Sequence, residues 1–247
     1  MPEAQEKNLS EDLTSRIGSL PDDRSLAELL VKRIQSDIEI HLADDAADAY
    51  GLSGLLATYL RDEKSMHSFY KKALKIEPEN AVLNHNYSTN SFAFGLIDNA
   101  IQYAKKTHGI LKDDRDAVEF LFQAMFFTLR VKEASELSEQ IIKHNIEKYL
   151  PTLNFAQDIQ NMFSRSDISA DEAQDFLKIA YDLMRAKKLT ATARRLHPCG
   201  NNSISYKIQL GVDVEQVVDM NILLAEKFAS HENASKISTI LNVAYSI

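Results

Sequence analysis

Apolar positions follow helical spacing along most of the chain and switch to strict alternation in short stretches near its end. From Ser25 to about Ala43, Leu26, Leu29, Leu30, Ile34 and Ile38 predict one helix face, with Ser25 placed to cap its start. Between Ala47 and Lys148 short helical stretches succeed one another, and Val118, Leu121, Phe122, Met125, Phe126 and Leu129 make the most apolar of them. Beyond Leu150-Pro151 the texture changes. Ser169-Ala170-Asp171-Glu172 opens a helix with the pattern of a capping box, followed by Ala173, Phe176, Leu177, Ala180, Leu183 and Met184 on one face. Ser203 to Leu210 then alternates, with Ile204, Tyr206, Ile208 and Leu210 on one side, as a half-buried strand requires. Asp213 to Ser230 is again helical, carrying Val214, Val217, Val218, Ile222, Leu223 and Leu224. Alternation returns in Ile237, Thr239, Leu241, Val243, Tyr245 and Ile247.

With Thr190 to His197 as a further strand, the order helix, strand, strand, helix, strand predicts a small α+β module. Its three-stranded sheet would carry helices on one face, because each strand has one strongly apolar side. The final strand has two readings: Tyr245 and Ile247 are integral to the core, or they form an edge that recruits a second copy and makes a homodimer through this module.

The helical stretch before it is periodic. Ala47 to Asn80 forms a 34-residue helix-turn-helix unit, and the register continues through Ala81 to Asp114 and Arg115 to Lys148. In the first unit Tyr50 stands at a leading aromatic position, Gly54 at a close-contact position, Tyr70 and Ala73 on the second helix, and Pro78 at the stop. A small residue where helices cross lets backbones approach, an aromatic fills the neighbouring gap, and proline ends the second helix. The unit, and above all Phe69 to Pro78, resembles the tetratricopeptide repeat (TPR) family. It departs from that pattern where Ser53 replaces leucine, Ala57 an aromatic and Met66 alanine. Gly95 falls at the turn of the second unit and Ala100 at its small position; Leu121 and Ala134 keep register in the third. A helical domain whose antiparallel pairs happen to recur is the plainer alternative.

The resemblance implies a TPR-like α-solenoid of helical hairpins; with the α+β module that follows it, which resembles no known family, the chain is expected to be mainly α. The domains would be a partly disordered acidic leader over 1–24, a capping helix plus three repeats over 25–148, and a connecting helix plus module over 149–247. It also implies that the first helix of each unit lines a concave groove. Leu52, Leu55, Thr58 and Tyr59 would come from the first unit, and His85, Asn86, Thr89 and Phe92 from the second. Glu119, Phe120, Gln123, Phe126 and Phe127 would come from the third. Such a groove suits an amphipathic helix or an extended peptide. Of the residues that clamp a terminal carboxylate in one branch of the family, only Asn86 is matched. Gly51, Leu55, Asp116 and Phe120 hold the other places, so an acidic chaperone tail is not the expected ligand. The groove aromatics have a second reading, as a seat for the chain's own C-terminal module.

Charge sharpens the expectation. Residues 1–46 hold 11 acidic and 5 basic side chains, 47–148 hold 14 and 13, and 149–247 hold 11 and 10. Six of the eight net negative charges therefore lie in the N-terminal segment, and an acidic chain argues against nucleic-acid binding as the main activity. Met1 to Leu20 lacks the apolar core of a signal or membrane span, and the lone Cys199 has no intramolecular disulfide partner. A cytoplasmic location is expected.

Chemistry is sparse. Seven glycines form no phosphate loop, and seven scattered histidines show no metal-ligand spacing, so no metal, cofactor or enzymatic activity is expected. Arg194-Arg195-Leu196-His197-Pro198-Cys199-Gly200 is the one notable constellation. It could lower a thiol pKa, although Pro198 and Gly200-Asn201-Asn202 read as a hairpin connection. Lys187, Lys188, Arg194 and Arg195, with Arg185, are the basic concentration and the candidate contact for an anion or RNA. The expected function is a non-enzymatic adaptor that holds a peptide or protein partner. The alternative is a regulatory or defence-system component whose C-terminal module binds a nucleotide or RNA.

Overall fold

The computed structural model describes residues 2–21, 24–112, 114–144, 146–199 and 203–247. The chain is mainly helical with one small C-terminal sheet, and it divides into two compact units, 1–91 and 92–247. The division falls within the helix Ala81–Ala93.

The first unit holds α1 (Pro2–Gly18), α2 (Arg24–His41), α3 (Ala46–Tyr59), α4 (Glu63–Ile76) and most of α5 (Ala81–Ala93). The acidic leader, expected to be partly disordered, is helical from Pro2 to Gly18 and sends Leu13 and Ile17 into a core with Leu20. Helix α2 starts before Ser25, so that residue is not its cap. The buried stripe of α2 is Ala27, Val31, Ile34 and Ile38: the expected Ile34 and Ile38 are core, whereas Leu26, Leu29 and Leu30 are exposed. Leu26 and Leu29 are 72% and 73% exposed.

Helix α3 is capped by Asp45, whose side chain accepts from Asp48 N, and α4 by Asp62, which accepts from Ser65 N. The two pack closely because Gly54 has no side chain: a Cβ there would meet the Tyr70 ring at 2.6 Å. Tyr70 stacks on Tyr87 at 5.0 Å between ring centres, and its hydroxyl accepts from Asn90 Nδ2 at 2.6 Å.

The second unit contains α6 (Ile97–Ile110), α7 (Arg115–Phe126), α8 (Val131–Glu136) and α9 (Ser138–Lys143). A 3-10 turn (Glu147–Tyr149), α10 (Leu150–Arg165) and α11 (Ala170–Ala186) follow. The unit is completed by β1 (Ala191–Cys199), β2 (Ser203–Leu210), α12 (Val214–Ala229), α13 (Ala234–Ile237) and β3 (Leu241–Ser246). The Ser169–Glu172 capping box forms as the sequence suggested. The strand order is β1-β2-β3, with β1 antiparallel and β3 parallel to β2. The last strand is shorter than the alternation implied, since Ala234–Ile237 is a helical turn. The hairpin connection expected at Gly200–Asn202 lies outside the described residues.

One face of the sheet carries Ile204, Tyr206 and Ile208 beside Leu241, Val243 and Tyr245 in register, all buried in a core shared with α7 and α11. Tyr245, one of the two terminal-strand residues read as core or edge, lies in this core, and its hydroxyl donates to Ala180 O. Ile247 is exposed.

Candidate functional site

The expected groove residues fall in both compact units. In the first, Leu52 is core, Leu55 is half-buried, and the hydroxyl of the half-buried Tyr59 donates to Pro21 O at 2.6 Å. His85 and Asn86 are half-buried and Thr89 is exposed. Burial lowers the His85 pKa below its ordinary 6.5. The unfolded chain therefore takes up that proton more readily, and the contribution to stability is present above pH 6.5 and lost as pH falls below it. The urea midpoint is expected to drop between pH 7 and about 5, with a shallower slope in His85→Gln; parallel profiles for the two proteins would contradict this.

In the second unit Phe92 and Phe126 are buried, and Gln123 is half-buried. Phe126 packs against Phe122, Phe127 and Phe155, with ring centres 6.0, 5.4 and 6.1 Å away. Gln123 donates to the Tyr149 hydroxyl, which in turn donates to Glu119 Oε1 at 2.7 Å. Lys148 Nζ reaches the same oxygen at 2.7 Å. Burial works against the Glu119 carboxylate, but Lys148 and Tyr149 outweigh it and hold its pKa below the ordinary range. Burial, reinforced by Glu119, pushes the Tyr149 phenol up to about 12. This part of the expected groove is thus lined jointly by α7 and the C-terminal region.

The structure separates the four basic candidates. Lys187 and Lys188 are exposed where α11 ends. Arg194 and Arg195, neighbours on β1, point to opposite faces as strand residues must. Arg194, expected as an anion or RNA contact, pairs in register with Ile208 on the core face. Its guanidinium lies over the rings of Phe92 and Tyr181 at 5.2 and 5.5 Å. Its Nε donates to the Tyr181 hydroxyl at 2.7 Å and Nη2 donates to Phe92 O. The Tyr206 hydroxyl donates to Phe127 O at 2.6 Å, so the 2.7 Å bond between the two phenols takes its hydrogen from Tyr181.

A directed chain results, from Arg194 through Tyr181 and Tyr206 to the backbone at the end of α7. Burial opposes the Arg194 charge, but the facing phenol oxygens outweigh it and keep its pKa raised. Burial pushes the Tyr206 pKa up as well, so the phenol stays a donor.

Arg195 remains exposed, on the same face of β1 as His197 and Cys199. A cavity of about 540 Å³ opens beside it, lined by Gln123, Phe126, Phe127, Tyr149, Thr152, Phe155 and Arg194 to His197 among others. A second, of about 780 Å³, continues past Pro198 and Cys199, lined from α10 by Thr152, Phe155, Asp158, Met162 and Arg165. Thr152 and Phe155 border both, so the two form one trough along β1 and α10. The fold has brought Gln123, Phe126 and Phe127, expected in a groove, and the basic strand together. Phe155, Asp158, Met162 and Arg165 escaped the sequence analysis, although their spacing places them on one helix face.

Among the described residues no three His, Cys, Asp or Glu side chains converge to hold a metal ion, and no helix is long and apolar enough to cross a membrane. Fold and trough together define a mainly helical protein of two compact units, the second built on a three-stranded sheet with an open aromatic trough along one edge. Compared with known proteins, the chain matches no family model, no curated protein and no solved structure.

Proposed function

We propose that the chain is a non-enzymatic interaction scaffold, in which TPR-like helical hairpins and the C-terminal module together hold a peptide or protein partner. The observation that carries this reading is the trough, where Gln123, Phe126 and Phe127 share one open cavity with Arg195, Leu196 and His197. Aromatic walls with a few hydrogen-bonding and cationic groups at the rim suit a peptide of mixed character.

Selection of displayed random peptides on the intact protein is expected to enrich a consistent motif. Phe155→Ala should weaken the enriched peptide by roughly tenfold or more, since Phe155 borders both cavities. Failure of every peptide to enrich would remove the reading. A second reading, in which the C-terminal module takes a nucleotide or single-stranded RNA, draws on the presence of Arg195 and aromatic rings in the wall of one cavity. The net charge of -8 and the presence of Asp158 in the trough weigh against it.

A further inference from the structure

The two edges of the sheet are treated differently. On β3 the Asn221 side chain imitates a neighbouring strand: its Nδ2 donates to Tyr245 O at 3.1 Å and its Oδ1 accepts from Tyr245 N at 2.8 Å. Among the described residues nothing takes that place on β1: its only strand partner there is β2, and the backbone of Arg194 to Cys199 makes no hydrogen bond outside the sheet ladder. The trough runs along this edge. Arg194, Arg195, Leu196 and His197, consecutive residues whose side chains leave opposite faces, all border it, as they would where a cavity meets a strand edge-on. An unpaired strand edge is a template for another strand.

We propose that β1 is the docking edge for an extended acidic peptide from a partner protein, which adds to the sheet as a fourth strand between β1 and α10. The proposal rests on the scaffold reading above and names its binding mode. Pro198 lacks an N–H and costs the ladder nothing if its nitrogen faces away from β2, which gives Arg194, Leu196 and Pro198 the outward backbone groups. One side of the added strand would set apolar residues against Phe127, Phe155 and Leu196, all half-buried at the trough wall. The other side would meet Arg195 and Arg165, which are exposed and, among the described residues, have no carboxylate partner. Among the described residues of the wall Asp158 is the one opposing charge. Main-chain bonds would supply affinity, and the period-two alternation would supply specificity.

The test uses the full chain, a random peptide library about ten residues long, and an oligo-uridylate of similar length. Enriched peptides should alternate acidic and apolar residues. N-methylation of backbone amides of one parity should weaken binding at least about tenfold, and methylation of the other parity should be tolerated. The amides of Arg194 and Leu196 should exchange more slowly in the complex. Arg195→Glu, at an exposed position, should keep its circular dichroism spectrum and shift selection toward basic peptides.

Enrichment of peptides with helical spacing, weakened by methylation at either parity, would overturn strand addition and leave the scaffold reading standing. Binding of oligo-uridylate without any peptide, or of neither probe, would overturn both.

Discussion

Arg194→Leu is expected to destabilise the second unit by about 2–4 kcal/mol, whereas Arg195→Leu, one residue on, should stay within about 0.5 kcal/mol of the parent protein. The difference follows from strand alternation. Leucine at 194 removes charge-assisted bonds to Phe92 O and the Tyr181 hydroxyl, together with two ring contacts. It also leaves the Tyr181 oxygen without that donor in a core where Tyr181 and Tyr206 are fully buried. Leucine at 195 changes an exposed side chain with no ion-pair partner among the described residues. Urea unfolding followed by circular dichroism decides the matter. Equal midpoints for the two variants would mean that the Arg194 network does not hold β1 to the ends of α5 and α7. Binding should respond in the opposite order, with Arg195→Leu weakening an acidic peptide while the fold is retained.

Tyr70→Ala is the largest change expected in the first unit, at about 3–5 kcal/mol. The ring is fully buried, stacks on Tyr87 and fills the space left by Gly54, so truncation opens a cavity where α3 and α4 cross. It also removes the acceptor of the Asn90 side-chain amide. Tyr70→Phe keeps the ring and loses only the hydroxyl, for about 1 kcal/mol. Burial holds the Tyr70 pKa well above its ordinary value, so the phenol stays neutral and the comparison is free of a charge change at neutral pH. Equal losses for alanine and phenylalanine would show that the hydroxyl, and not the packing of the ring against Gly54, is what matters.

These two sites differ in how far they were legible. Gly54, Tyr70 and Ala73 lie within one helical hairpin, and a small residue facing an aromatic across it follows from spacing alone. The Arg194 network joins residues up to 102 positions apart, from Phe92 to Arg194, and no local pattern links them. The same limit governed the trough. Gln123 and Phe126 were expected in a groove, and Arg195 in a basic cluster, but their convergence on one cavity depends on where α10 and β1 come to rest. In α2 the misreading had a different source. Leucines occupy two faces of the helix, and hydrophobicity alone does not decide that Ala27 and Val31 are buried while Leu26 and Leu29 face outward.

Local order was thus determined by the sequence itself: the capping box at Ser169, the alternation of Ser203 to Leu210, the close approach demanded at Gly54 and the concentration of negative charge before Ala47. Each depends on neighbours within a few residues or on composition. Tertiary structure alone decided which of two adjacent arginines became a half-buried tie to the core and which stayed at the rim. It alone closed the β3 edge with Asn221 and left β1 facing a trough, because burial and hydrogen-bond partners are set by segments that meet only after the chain has folded.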